Sequence, residues 1–108
     1  MKQIKSKEEV DQWIERSNQE KVLFYKHSFQ CPICTAAKEE VEEFEEENSD
    51  IPIVWIDVID SREVSQYLAE KASIKHESPQ TIIYENGAPV WDTSHRKITA
   101  DSLSEQFA

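Results

Sequence analysis

The apolar positions of this chain change period several times, and each change marks an element. Val10, Trp13 and Ile14 recur at helical spacing behind the capping pair Ser6 and Glu9, which predicts an amphipathic helix from Ser6 to about Asn18. Lys2 to Ile4, just ahead, reads as a short edge strand. Val22-Leu23-Phe24-Tyr25 and Ile53-Val54-Trp55-Ile56 with Val58 are nearly continuous runs of β-branched and aromatic residues, the pattern of central parallel strands covered on both faces. Between them Ile33, Ala37, Val41 and Phe44 share one face of a helix from Pro32 to about Glu47, and Pro32 suits a first turn, where its missing N–H is not needed.

The second half continues the alternation. Asp60 and Glu63 have capping-box spacing ahead of a helix that buries Val64, Tyr67, Leu68 and Ala72. Gln80–Glu85 and Pro89-Val90-Trp91 flank Asn86-Gly87, whose glycine is the only one in the chain and stands where a hairpin turn requires positive φ. Thr99 then caps a last helix through Leu103 and Phe107. The order β-α-β-α-β-α-β-β-α predicts an α/β fold with a mixed sheet of four to five strands, and right-handed crossovers place helices on both faces.

Composition narrows what such a fold does. At 108 residues, with no repeat or linker, residues 1–108 are expected to form one domain around one core. Asp and Glu number 22 against 12 Lys and Arg, a net charge of -10 that repels nucleic acid and anionic membranes. The opening MKQIKSKEEV has no signal-peptide core and no apolar run reaches a membrane span, so the cytoplasm is the expected location. The acidic run EEVEEFEEENSD reads as the solvated face of the second helix, and Trp13, Trp55 and Trp91 read as core.

The chemistry concentrates in HSFQCPIC, His27 to Cys34, which holds both cysteines of the chain. Cys31 falls at the start of the second helix, where unpaired N–H groups favour a thiolate; Cys34, one turn in, is more buried. Cys31 is therefore the expected nucleophile and Cys34 the expected resolving thiol, with Lys26 and His27 as electrostatic support. Two cysteines at this spacing also make half of a zinc site, but His27, His76 and His95 form no H-x-x-x-H pair and no second C-x-x-C exists. Two inert core thiols, in a non-catalytic binding module, are a further alternative. The strand, C-P-x-C, helix context within a β-α-β pattern favours thiol exchange.

KHSFQCPI at Lys26 to Ile33, KHESPQ at Lys75 to Gln80, and ENGAPVW followed by SHRKIT resemble the monothiol bacilliredoxin family of thioredoxin-like proteins. The resemblance implies a thioredoxin-like fold, a cis Ser78–Pro79 bond, and a substrate groove formed by Pro32, Ser78 and Pro79. It implies removal of bacillithiol from bacillithiolated client proteins by Cys31, with bacillithiol as co-substrate, no bound cofactor or metal, and a second bacillithiol or another redoxin as reductant. His76 and Glu77 are placed to meet the bacillithiol carboxylates or relay protons, though a loop position alone assigns them no duty. Two departures stand out. Where the family typically has Ser, this chain has Cys34, and the buried acidic residue that thioredoxins keep six positions before the first cysteine is Tyr25 here. The first opens a general dithiol reductase as an alternative, and the second argues against efficient general disulfide reduction.

Overall fold

The computed structural model describes residues 1–107. Strands β1 (Lys2–Gln3), β2 (Val22–His27), β3 (Ile53–Asp57), β4 (Gln80–Glu85) and β5 (Ala88–Ser94) form one sheet in the order β1-β3-β2-β4-β5. β1 and β2 run parallel to β3, whereas β4 pairs antiparallel with both β2 and β5. The mixed sheet is as expected, and β5 extends beyond the predicted segment to Ser94.

The period-2 geometry of β2 divides the core. Val22 and Phe24 pack with Val10, Val64 and Leu68, from α1 (Lys7–Arg16) and α3 (Arg62–Ala72), on one face. Leu23 and Tyr25 pack with Val41, Phe44 and Leu103, from α2 (Pro32–Glu47) and α4 (Ala100–Gln106), on the other. The three tryptophans depart from the core reading: each is half-buried, covering a cluster from its rim.

Local chemistry explains the boundaries. Ser6 Oγ accepts from the Glu9 amide at 3.2 Å and so starts α1. That helix stops at Arg16, two residues earlier than predicted, because Ser17 is committed to the β4–β5 turn: its carbonyl accepts from Asn86 N at 2.7 Å and its hydroxyl from Gly87 N at 2.9 Å. Asn86 and Gly87 both have positive φ, 54° and 78°, as a two-residue turn between the paired Glu85 and Ala88 requires. The predicted capping box of Asp60 and Glu63 does not form. α3 begins at Arg62 with Ser61 in the cap position, and Asp57 Oδ1 instead accepts from the amides of Ile59 and Asp60 at 3.0 and 3.1 Å. Asp57 ends β3, so its carboxylate reaches the two amides that follow the strand.

The acidic run behaves as a solvated face with two exceptions. Glu40 accepts from Ala100 N at 2.9 Å at the start of α4, and Glu45 pairs with the N-terminal ammonium.

Candidate active site

The end of β2 delivers the chain to the first turn of α2, and that handover builds the thiol pair. Cys31 occupies the cap position with extended dihedrals, and Pro32 follows inside the helix. Cys31 is partly exposed and Cys34, one turn later, is fully buried. The Cys31 side chain makes no full capping hydrogen bond. The Cys34 amide nevertheless draws its thiol below the ordinary value; burial opposes this, and the Cys34 thiol and Ile33 amide reinforce it. Cys34 goes the opposite way: burial pushes its thiol up, and the neighbouring Cys31 adds to the effect. The Ser28 backbone and the Ser78 hydroxyl, 3.7 Å from Cys34 Sγ, offset part of it. Two thiols one helical turn apart thus receive opposite environments.

Ser78 and Pro79 come to the pair from across the sheet, joined by a cis bond. Ser78 is half-buried and Pro79 buried, while Pro32 is exposed beside them. The Pro79 carbonyl accepts from His95 N at 3.0 Å, tying this loop to the short 3-10 turn His95–Lys97 that the hydrophobic pattern did not predict. Pro32, Ile33, His95 and Arg96 line a groove of about 380 Å³ along this side. Phe29, two residues before Cys31, is 65% exposed and stacks edge-on to His27 and Trp55, which places an open aromatic surface on the rim.

Neither Lys26 nor His27 is among the groups that shift the Cys31 thiol. Alternation along β2 turns Tyr25 and His27 toward α2 and sends Lys26 to the opposite face. There the Lys26 side chain is completely buried, with Nζ 3.1 Å from His76 Nδ1, and burial lowers its pKa to about 8. His27 is buried too; desolvation and then Lys38 push its pKa down, so its ring is neutral near pH 7. Its Nδ1 sits 2.7 Å from the Tyr25 hydroxyl, which also donates to the Cys34 carbonyl at 3.3 Å. Where thioredoxins carry an acid, this chain has a phenol whose pKa is pushed up by burial and by the two cysteines.

Among the described residues no group of three or more His, Cys, Asp or Glu side chains is placed to hold a metal. The cluster of Lys26, Ser65 and His76 escaped the sequence reading. Its only signal was a lysine at the third position of a face whose other members, Val22 and Phe24, are core.

The family model described as monothiol bacilliredoxin BrxC matches residues 2–103. A solved structure described as a candidate oxidoreductase with a thioredoxin fold superimposes with a TM-score of 0.90 at 33% identity, covering 99% of this chain and 93% of that one. A thioredoxin from Fasciola hepatica gives 0.77 at 18% identity over 98% of this chain and 95% of that one. One from Plasmodium falciparum gives 0.76 at 23% identity over 100% of both. Similarity to the two thioredoxins shows the fold alone. No helix among the described residues is long and apolar enough to cross a membrane.

Proposed function

The chain belongs to the monothiol bacilliredoxin family, thiol–disulfide oxidoreductases of thioredoxin fold, and on that premise we propose that it removes bacillithiol from S-bacillithiolated proteins through attack by Cys31. The observation that carries this reading is the contrast within the pair: a partly exposed Cys31 with a lowered thiol pKa beside a buried Cys34 with a raised one. The Cys31 thiolate attacks the bacillithiol sulfur of the client's mixed disulfide. The client sulfur leaves as a thiolate and takes a proton, and the small thiol is left disulfide-bonded to Cys31. A second bacillithiol thiolate then attacks the bacillithiol sulfur of that adduct, releasing bacillithiol disulfide and regenerating the Cys31 thiolate. The chain needs no bound cofactor for this exchange and works in the cytoplasm.

Cys34 adds a second exit. Its thiolate can attack Cys31 Sγ, expelling bacillithiol and leaving a Cys31–Cys34 disulfide for another redoxin to reduce. Pro32, Ser78 and Pro79 line the approach, and the Ser78 backbone offers an edge for a client segment to pair with.

Incubation of the reduced protein with a bacillithiolated client, followed by mass spectrometry, tests the reading. One bacillithiol mass should move to the protein, and Cys31→Ala should abolish the transfer. If the general dithiol reductase suggested by Cys34 were correct, insulin reduction with a reductase partner would depend on Cys34 as strongly as on Cys31. A bacilliredoxin cycle should survive Cys34→Ser.

A further inference from the structure

Lys26 is a buried cation that the thiol chemistry leaves unused. None of the ion pairs among the described residues includes it, and its ammonium donates to His76 Nδ1 at 3.1 Å. Buried Ser65 brings its hydroxyl within 3.3 Å of the same nitrogen. An ammonium buried without a counter-charge is unfavourable, and a chain with 22 acidic residues had ample means to supply one. With Nδ1 occupied as acceptor, the neutral His76 ring offers Nε2–H as a donor.

His76 lines a cavity of about 300 Å³ with Val58, Ile59, Arg62, Ser65 and Gln66, a lining without a carboxylate. The groove on the Pro32 side differs: Glu39 and Glu40 share it with Arg96, and His95 is held by Glu77 at 3.3 Å. Its charges are balanced from within. The His76 cavity is also anchored to the thiols. His76 stands two residues before Ser78, a chain length of about 7 Å at most, and Ser78 Oγ is the group 3.7 Å from Cys34 Sγ. On the other wall Val58 N donates to the His27 carbonyl at the end of β2 at 2.9 Å. The cavity therefore opens at the same carboxyl edge of the sheet as the cysteines, where ligands of open α/β sheets dock.

We propose that Arg62, Ser65 and His76, backed by Lys26, form a carboxylate-binding subsite for the malate end of bacillithiol while its sulfur is joined to Cys31. The proposal rests on the bacillithiol-removing reading and gives it a specificity element. The malate carboxylates lie at the opposite end of bacillithiol from its thiol, and a guanidinium with an imidazole N–H is a matched donor set for a carboxylate.

The full-length protein should be assayed on one client carrying either bacillithiol or its malate-free analogue cysteinyl-glucosamine, with kcat/KM for each transfer read by mass. The wild type should prefer the malyl form. Arg62→Ala and His76→Ala should each reduce that preference about tenfold, the size of one charge-assisted hydrogen bond; Arg62→Lys should restore part of it. Arg96→Ala, in the opposite groove, should leave it unchanged. If the wild type transfers bacillithiol but both variants keep its preference, or if Arg96→Ala alone removes it, the subsite is overturned and the enzymatic reading stands. Absence of any transfer by the wild type overturns both.

Discussion

Replacing Lys26 by methionine should stabilise the protein at neutral pH, by an amount that disappears in alkali. The side chain has no exposed surface, so little solvent screening softens the cost of its charge, and burial brings its pKa from 10.5 down to about 8. At about 1.4 kcal/mol per pH unit, that difference corresponds to about 3 kcal/mol against the charged native state. Below pH 8 the folded and unfolded chains both hold the proton, and the full cost is present. Between pH 8 and 10.5 the folded chain releases the proton while the unfolded chain keeps it, so the wild type gains on the variant as pH rises. Above 10.5 neither state is charged and the cost is gone.

Urea unfolding of wild type and Lys26→Met at pH 7, 8, 9 and 10 measures this directly. Tyr25, Tyr84 and both thiols are common to the two proteins and cancel from the difference; His76, whose pKa Lys26 helps to lower, titrates below this pH range in the wild type and is the one neighbour the substitution alters. The variant should be more stable by about 2–3 kcal/mol at pH 7, with most of that gap closed by pH 10. His76 keeps Ser65 Oγ as a partner after the substitution, so the variant leaves no new orphan at Nδ1. A gap that stays constant from pH 7 to 10 would refute the assignment of the cost to a buried charge, and a less stable variant at pH 7 would show that the Lys26–His76 hydrogen bond outweighs desolvation.

Cys31 and Gly87 carry two further expected outcomes. In Cys34→Ser, which leaves Cys31 as the sole thiol, the iodoacetamide alkylation rate should rise with pH to a midpoint below the ordinary 9.0, because the Cys34 backbone amide still favours the thiolate; a midpoint at or above 9.0 contradicts this. Gly87→Ala should destabilise by about 1–2 kcal/mol in urea melts, since φ is 78° and the added Cβ would stand 3.3 Å from Asn18 Oδ1; an unchanged midpoint would mean the turn relaxes without cost.

The parts of the fold that depend on neighbours in sequence were legible, and the parts that depend on distant partners were not. All five strands and four helices were legible from period and residue type, α3 by its apolar stripe although its expected capping box does not form, and the Asn86-Gly87 turn by its residue types. The end of α1 was not, because Ser17 is recruited by amides 69 and 70 residues away at Asn86 and Gly87. Asp57 was invisible as a cap for the same kind of reason: its carboxylate serves amides beyond a strand end rather than a helix start with the usual spacing. At the site, C-P-x-C following a strand and opening a helix gave the placement of Cys31 and Cys34 without any structure. The fate of Lys26 required knowing which face of β2 looks toward α3, since its partner His76 lies 50 residues on.

The presence of Cys34 in a family described as monothiol is reconciled by the energetics of its proton. For an internal disulfide to form, Cys34 must become a thiolate, yet burial raises its pKa. Thioredoxins place an acid behind this position; here the equivalent residue is Tyr25, itself pushed up and bonded to a neutral His27, so the ionised resolving thiol has no carboxylate to take its proton. In the proposed cycle an external bacillithiol would meet no such barrier, because it ionises in solvent and would attack an adduct on the partly exposed member of the pair. On the proposed cycle the single-cysteine route should therefore dominate at neutral pH, and Cys34→Ser should leave turnover with bacillithiol as reductant unchanged there. On the same reading, a rise in pH should favour the internal route, because loss of the buried Cys34 proton becomes progressively easier.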